Sequence, residues 1–324
     1  MCFGFDGDRA VRDSLDQKGA SRRSLFRGAA VGAAGAALLS TGLAAPADAS
    51  SARKHGNHGN HGKRKRSVPH DEISIQLYTL RDAMTTSDGV DLVLGRLAQY
   101  GYEKVELAGL YGRTAGAMAA QLKGLGIRAS SSHDGISADS AALHTKLENA
   151  RILGQKYVNV PYLNSNSLSD WQSWADQMNA EAAVAKRYGL RYGYHNHAHE
   201  FTIDLGGGLT PWEVLTSRLD PRLVHLEVDL YWAYTGGVNT GAADPNRFAI
   251  EVIREAPQRV RQFHVKDRDA TSGDMCDLGT GIVDFPRIFR AHQVEEYIVE
   301  NDTPDVTPLT TAAVGHLYLD HIEY

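Results

Sequence analysis

Residues 73–81 read Ile-Ser-Ile-Gln-Leu-Tyr-Thr-Leu-Arg, an apolar run that becomes polar towards its end. The run predicts a buried β-strand over 73–78. An open, doubly wound sheet that binds nucleotides usually carries a Gly-rich loop directly after its first strand. Residues 75–81 contain no glycine. The stretch therefore favours a closed barrel over an open sheet.

Seven more β-rich runs follow this strand, and helical patterns alternate with them. The predicted strands cover residues 73–78, 104–107, 126–131, 157–160, 191–195, 223–229, 260–265 and 297–300. The predicted helices lie near residues 90–100, 114–124, 138–153, 169–188, 211–218, 245–256, 284–292 and 307–321. Strands that alternate with helices pair in parallel through right-handed crossovers. Eight such units predict a single α/β domain, a (β/α)₈ TIM barrel over residues 70–324.

The composition is that of a globular protein, with 42% hydrophobic and 23% charged residues among 324. It excludes a wholly disordered, collagen-like or coiled-coil chain. The two cysteines, Cys2 and Cys276, cannot build a disulfide scaffold or a Cys-rich zinc module. The net charge of −5 hides an acidic body, because residues 67–324 hold 22 Lys and Arg against 34 Asp and Glu, a net of −12. This excess argues against a nucleic-acid partner, whose binding surface is usually basic.

Residues 1–49 have the pattern of a secretory signal. Arg22 and Arg23 precede an apolar run rich in Ala and Gly over 28–45, and an Ala-Asp-Ala sequence at 47–49 supplies a cleavage site. The paired arginines resemble a twin-arginine export signal. A membrane anchor is the alternative, but the run is weakly hydrophobic for a span. We expect export to the periplasm or the exterior, with no stable membrane anchor after cleavage.

Residues 50–69 are rich in His, Lys and Arg and show no apolar periodicity. They predict a flexible linker between the signal and the barrel. His55, His58 and His61 could bind a stray metal ion, with modest affinity at this spacing in a Gly-rich chain. A solvated tether is the simpler interpretation.

Polar residues collect where the predicted strands end. The clusters are Val105-Glu106-Leu107, Ser131-Ser132-His133-Asp134, Tyr194-His195-Asn196-His197, Glu227-Val228-Asp229, His264-Val265-Lys266-Asp267 and Glu300-Asn301-Asp302. A TIM-barrel enzyme builds its active site from these ends. A buried charge is costly unless it is paired or bound to metal, so acids and imidazoles at six strand ends indicate a site.

Each of the predicted strands five to eight ends near one potential metal ligand: His195, Asp229, His264 and Glu300. We expect these four side chains to converge on one divalent ion. Two imidazoles and two carboxylates suit Mn²⁺, Zn²⁺, Fe²⁺ or Co²⁺ better than Ca²⁺. Lys266 follows His264 by two positions and is expected to face the same way.

The other candidate residues have less specific signals. Those predicted to contact substrate are Trp232, His197 and Tyr78. Glu227 has two interpretations, a site residue or a partner of Lys266 or an arginine deeper in the barrel. The histidines expected at the surface are His199, His225, His292, His316 and His321.

Six segments, 76–82, 101–109, 194–197, 229–232, 264–267 and 300–302, resemble the xylose isomerase-like TIM barrel superfamily, which shares its fold with the AP endonuclease 2 family. The superfamily includes sugar phosphate isomerase/epimerase-like proteins, inosose dehydratase, ketose 3-epimerases and, more distantly, endonuclease IV. Many of these proteins hold one divalent ion with Glu, Asp, His and Glu from strands five to eight. The resemblance implies that Asp229, His264 and Glu300 are ligands. His195 stands where those proteins have glutamate, which removes one of the two carboxylates that work on opposite faces of an epimerase substrate.

The expected function is that of an exported, metal-dependent sugar isomerase/epimerase-like enzyme acting through an enediolate on a small sugar or polyol derivative. Glu300 or Glu106 would remove the α-proton, and Lys266 or His133 would donate a proton to oxygen. Loss of a β-substituent instead would make the enzyme a lyase or dehydratase acting on a keto-sugar or an oxidised glycoside.

Two alternative functions and the oligomeric state complete the expectations from the sequence. A non-catalytic sugar-binding barrel is an alternative to an enzyme, and a homo-oligomer is possible. DNA hydrolysis of the endonuclease IV type needs a cationic groove, which the acidic body argues against.

Overall fold

Eight parallel strands form the centre of the protein in a computed structural model, which describes residues 65–324. They are β1 (Ile73–Gln76), β2 (Lys104–Leu107), β3 (Arg128–Ser132), β4 (Tyr157–Val160), β5 (Arg191–His195), β6 (Val224–Asp229), β7 (Val260–Val265) and β8 (Glu296–Val299). Their order is β3-β2-β1-β8-β7-β6-β5-β4. A parallel bridge between His133 and Asn159 brings β3 and β4 together, and the Lys156 N–H donates to the Ser130 carbonyl at 2.9 Å. The predicted (β/α)₈ barrel is confirmed.

Helices surround the strands. They are α1 (Ser87–Gln99), α2 (Ala115–Gly124), α3 (Ser140–Leu153), α4 (Leu168–Arg187), α5 (Pro211–Arg218), α6 (Leu230–Asn239), α7 (Pro245–Glu255), α8 (Phe285–Ala291) and α9 (Pro308–His321). Capping residues explain several of their starts. Thr86 accepts a hydrogen bond from the Gly89 N–H before α1, and Thr210 and Glu213 form a capping box around Pro211 in α5. The predicted helices lie within a few residues of the observed ones.

The sequence missed one helix, α6. Asp229 ends β6, and its Oδ1 accepts a hydrogen bond from the Trp232 N–H at 2.9 Å, so α6 begins with no intervening loop. Strand β1 is also shorter than predicted. It ends at Gln76, whose side chain accepts from the Tyr78 N–H and caps the 3₁₀ helix Leu77–Ala83.

The apolar core lies between the strands and the helices, while the barrel interior is polar. On β6, Leu226 and Val228 belong to the apolar core, whereas the alternate residues His225, Glu227 and Asp229 are buried polar groups. The expectation that His225 and His316 lie at the surface is wrong. His225 is buried beside Gln262, and His316 packs edge-on against Tyr102.

A short hairpin follows β7 and pairs Asp267–Arg268 with Met275–Cys276. The Asp267 carboxylate accepts backbone N–H bonds from Gly279 and Gly281, which fixes the loop leading to α8. Cys276, the second of the two cysteines, is buried in this hairpin. It lies outside the predicted ligand set.

The folded body begins before residue 70. Arg66 exchanges two backbone hydrogen bonds with Tyr324, Ser67 bridges Glu323, and Val68 is buried. The last residues of the predicted linker are therefore paired rather than flexible, because an antiparallel bridge satisfies their backbone. The predicted signal at 1–49 and most of the linker lie outside the described residues. Within 65–324, no helix has the length and apolar character needed to cross a membrane.

Candidate metal centre

The four predicted ligands converge at the carboxyl ends of β5 to β8. One donor atom from each of His195, Asp229, His264 and Glu300 lies within 4.8 Å of the others. All four side chains are buried. Parallel strands bring residues that are far apart in sequence to one end of the barrel, so the convergence follows from the fold.

His264 is held between two carboxylates. Its Nδ1 lies 2.6 Å from Glu300 Oε2, and its Nε2 lies 2.6 Å from Glu106 Oε2. Burial alone would lower the pKa of the imidazole, but Glu227, Glu300 and Glu106 outweigh burial and raise the pKa well above its ordinary value. Both ring nitrogens therefore carry a proton and donate hydrogen bonds. A metal ion bound to Nδ1 would displace the proton from that nitrogen.

His195 is in the opposite electrostatic state. Burial, with a contribution from His264, lowers its pKa to about 3, so its imidazole is neutral. Its Nδ1 lies 3.2 Å from Glu227 Oε1, and its Nε2 lies 3.7 Å from Asp229 Oδ2. When Nδ1–H donates to Glu227, the lone pair of Nε2 is directed towards Asp229 and is available to a metal.

Glu106 and Glu227 lie behind the candidate ligands His264 and His195 and contact the ring nitrogens that face away from the ligand set. Both are fully buried, and Asn159 Nδ2 donates to Glu227 at 2.6 Å and to Glu106 at 3.3 Å. A carboxylate on the second nitrogen of a ligating histidine fixes its tautomer and ring orientation. Gly193 leaves the space that this network needs, since a Cβ there would come within 2.2 Å of Asn159 Oδ1.

The pKa values of these two carboxyl groups are shifted in opposite directions. Burial and the charge of Glu227 raise the pKa of Glu106. Burial also opposes ionisation of Glu227, but the neighbouring His264 and His133 outweigh it and hold its pKa well below the ordinary value. Glu227 thus partners histidines rather than Lys266 or an arginine, and the second interpretation given above is wrong.

A second set of potential ligands, His133, His195, Glu227 and His264, also lies within 4.8 Å. Its geometry suits a metal less well. All three imidazoles direct a nitrogen at Glu227 Oε1, at 2.7, 3.2 and 3.2 Å, so these atoms already contact one another. In the first set, the buried Asp229 Oδ2 lacks a hydrogen bond. This oxygen lies 3.1 Å from Lys266 Nζ, and its position among two imidazoles and a second carboxylate fits a transition-metal ion.

Lys266 lies in the same cluster and is almost fully buried. Its Nζ contacts Glu300 at 2.6 Å, Asp302 at 3.0 Å and Asp229 at 3.1 Å. These carboxylates raise the pKa of Lys266 well above its ordinary value in spite of burial. In return, Lys266 and His264 overcome the burial of Glu300 and hold its pKa well below the ordinary value. Glu300 is therefore ionised and Lys266 is an ammonium.

A cavity of about 510 Å³ opens above this cluster. Of the predicted site residues, those lining it are Tyr78, His133, His195, His197, Lys266 and Glu300. Tyr78 is 44% exposed at the rim. Trp232 does not line the cavity; its ring packs against His197 at 5.3 Å and lies 5.8 Å from Lys266 Nζ. Glu106 does not line it either, because Gln76, Asn159 and His264 surround its carboxylate.

Six residues of the cavity lining were not among the site residues predicted from the sequence, and three of them have polar side chains that matter here: Arg81, Tyr162 and Asp302. Arg81 lies over the Tyr78 ring at 4.1 Å and donates to the Asp302 carbonyl at 2.7 Å. Asp302 follows Glu300 by two positions, a same-face spacing that could have identified it. Tyr162 follows β4, a strand end without an acid or imidazole to mark it.

The model of the family described as "Xylose isomerase-like TIM barrel" matches residues 77–301. The chain belongs to this xylose isomerase-like family. Among curated members, inosose dehydratase of Bacillus licheniformis is 28% identical over 177 residues, which is 47% of this chain and 54% of that protein. The chain therefore spans about half the length of the curated relatives it matches.

Solved structures of xylose isomerase-like barrels agree with the fold. A sugar phosphate isomerase/epimerase from Parabacteroides distasonis superposes with a TM-score of 0.64 at 23% identity, covering 78% of this chain and 94% of that one. The IOLI protein "with a binding zinc atom" superposes with a TM-score of 0.56 at 14% identity, covering 76% and 96%. At these identities the superpositions support the fold alone.

Proposed function

We propose that the protein is a divalent metal-dependent enzyme that removes a proton next to a carbonyl group in a small sugar or polyol derivative. The observation that carries the proposal is the cluster His195, Asp229, His264 and Glu300, whose donor atoms meet at the base of an open cavity. The zinc named for the IOLI structure and the curated inosose dehydratases are consistent with it.

The chain's own residues supply base and acid. The Glu300 carboxylate is ionised and reaches the cavity, so it is placed to take the α-proton. The Lys266 ammonium is placed to donate a proton to a substrate oxygen. A bound divalent ion would polarise the carbonyl and stabilise the negative charge that develops beside it. Glu106 and Glu227 hold the ligating imidazoles rather than acting on substrate.

Two outcomes follow proton removal, and the geometry favours elimination over epimerisation. Among residues 65–324, the carboxylates that line the cavity are Glu300 and Asp302, and both follow β8. The imidazoles that line it, those of His133, His195 and His197, lie at or after the ends of β3 and β5. Inversion at carbon needs proton exchange on two opposite faces, whereas loss of a β-hydroxyl or β-alkoxy group needs one base and one acid. A dehydratase or lyase is thus the first proposal and an isomerase the second.

The test uses the purified full-length chain, first by metal analysis and then by proton NMR in D₂O with aldoses, ketoses and keto-polyols. We expect close to one transition-metal ion per chain, α-deuteration of a substrate, and loss of its β-substituent. Asp229→Asn is the matched control, since it keeps the side-chain volume but removes the charge. Deuteration without loss of the substituent would select the isomerase. Metal loading without exchange on any substrate would favour a binding protein.

We also propose, from the signal pattern at residues 1–49, that this enzyme works outside the cytoplasm. Replacing Arg22 and Arg23 by Lys is expected to retain the protein in the cytoplasm, which fractionation of the producing cells would show. Unchanged export of that variant would remove the twin-arginine proposal and leave the enzymatic one intact.

A further inference from the structure

Lys266 is a buried charge that is surrounded by carboxylates. Its side chain is 2% exposed, and its Nζ contacts three carboxylates between 2.6 and 3.1 Å. A buried ammonium is costly to desolvate and is retained only where such partners repay the cost. Two of the three carboxylates, Asp229 and Glu300, belong to the proposed ligand set, and the third, Asp302, does not.

We propose that Lys266 is an internal counter-ion of the metal centre, whose ammonium competes with the divalent ion for Asp229 and Glu300. Asp302 retains the ammonium at the cavity wall when the ion takes the other two carboxylates. The inference rests on the proposed metal dependence.

The geometry supports an exchange of partners. Asp302 already contacts Nζ at 3.0 Å and its side chain is 24% exposed, so it reaches the cavity edge from outside the cluster. The Trp232 ring, 5.8 Å from Nζ, offers a second surface that attracts a cation. Lys266 therefore keeps favourable partners after it releases the two ligands.

The same arrangement explains how the metal-free protein tolerates its ligands. Asp229 and Glu300 are buried next to each other, and two adjacent buried carboxylates without a cation would repel. Lys266, together with His264 beside Glu300, offsets their charge when no metal is bound. Metal binding would then add a divalent cation and displace the ammonium from Asp229 and Glu300.

A competing role and a supporting role predict opposite changes in metal affinity when Lys266 is replaced. If Lys266 only held the ligands in place, its removal would weaken metal binding. If it competes, Lys266→Met should bind Zn²⁺ and Mn²⁺ more tightly, by roughly tenfold, as expected for coupling between exclusive occupants of one site. Asp302→Asn should shift affinity in the other direction, because the ammonium loses its alternative partner.

The experiment strips the full-length protein with a chelator and titrates it with Zn²⁺ and Mn²⁺ in competition with a coloured indicator. Thermal unfolding is followed with and without metal. Lys266→Met should lower the melting temperature of the metal-free form, and metal should raise it by more than in the parent protein. Lys266→Arg, which keeps the charge, should bind metal nearly as the parent does.

Lys146→Met is the matched control, because Lys146 has a side chain only 9% exposed and a carboxylate partner, Glu181 at 2.8 Å, outside the metal cluster. This variant should lower the melting temperatures of the metal-free and the metal-bound protein by the same amount and leave metal affinity unchanged. Equal or weaker metal binding by Lys266→Met would overturn the inference. If that variant does not fold, tighter binding by Asp302→Asn would overturn it. A parent protein that binds neither metal would overturn the metal dependence itself, and this inference with it.

Discussion

The two ends of the barrel each carry a cluster of charges, and the clusters differ in burial and in balance. At the carboxyl ends, Lys266 and His264 lie fully buried among several carboxylates. At the amino ends, Glu295 is surrounded by basic side chains that are mostly half-exposed: Lys156, Arg191, Arg259 and Arg261. The cluster at the end where the cavity opens has an excess of negative charge, and the cluster at the opposite end has an excess of positive charge.

The difference separates a functional cluster from a structural one. Glu295 connects residues at the starts of β4, β5 and β7, and each of its partners can also be solvated, so the cluster stabilises the barrel at low cost. In the cluster at the carboxyl ends, the buried Asp229 Oδ2 makes no hydrogen bond and has the Lys266 ammonium at 3.1 Å. Groups in that state are expensive and are usually retained for binding or catalysis. Four predictions test this contrast.

The largest effect is expected at Asp229. Asp229→Asn should abolish stoichiometric metal loading, since it removes a charged ligand that has no substitute at the end of β6. Metal analysis of the purified protein measures this loss. Glu295→Gln is the control and should retain full loading; loss of metal there would contradict the separation of the two clusters.

The carboxylates behind the ligands should give intermediate effects. Glu227→Gln and Glu106→Gln are each expected to lower metal affinity by about 10- to 100-fold, because the histidines lose the acceptors that orient them. Competition with a chelating indicator measures the change. Unaltered affinity in both variants would show that the rings are oriented by packing alone.

Glu295→Gln should lower the free energy of unfolding by about 2 kcal/mol at pH 7, the size of hydrogen bonds to charged groups reduced by solvent screening. Burial opposes ionisation of Glu295, but hydrogen bonds from Lys156 and Tyr157 outweigh it and hold its pKa well below the ordinary value. A carboxylate whose pKa is lowered in the folded state stabilises the fold at pH values above the ordinary carboxyl pKa. That contribution is lost as the pH falls below the ordinary value towards the lowered one.

Urea unfolding of the parent and the Glu295→Gln variant at several pH values tests that dependence. The difference in stability should be constant at neutral pH and shrink as the pH falls below about 4. A difference that grows in acid would mean that the carboxylate is not the stabilising form.

The smallest effect is expected for Lys156→Ala, at about 0.5 kcal/mol, since its side chain is 52% exposed and other cations remain around Glu295. Urea unfolding at low and high salt measures it. A loss larger than that of Glu295→Gln would show that Lys156 stabilises the barrel through contacts other than this ion pair.

Sequence patterns predicted the features that depend on local order. Alternation of β-rich and helical runs identified all eight strands, and the four candidate ligands at the ends of β5 to β8 were singled out because short polar motifs mark those strand ends. Helix α6 was missed because Asp229 is both the last residue of β6 and the cap of the helix. No loop signal separates the two elements.

Contacts between distant strands could not be predicted in the same way. Glu227 meets histidines from β5, β7 and the end of β3, and nothing in its own segment identifies those partners. Glu106 was taken as a possible base because its residue type suits that role, but three neighbours bury its carboxylate beneath the cavity. Which side chains meet inside the closed barrel depends on how the strands are aligned with one another, and no single strand segment shows that alignment.

The pairing of Arg66 and Ser67 with Glu323 and Tyr324 has a practical consequence. Both segments lie beside the start of β8, since the Tyr324 side chain is hydrogen-bonded to that of Tyr297 and packs on Phe289 of α8, away from the cavity at the carboxyl ends of the strands. A surface or carrier attached through either segment would leave the cavity mouth open to solution. The same adjacency would let the chain be rejoined there and opened elsewhere, a permutation that keeps every strand in its place.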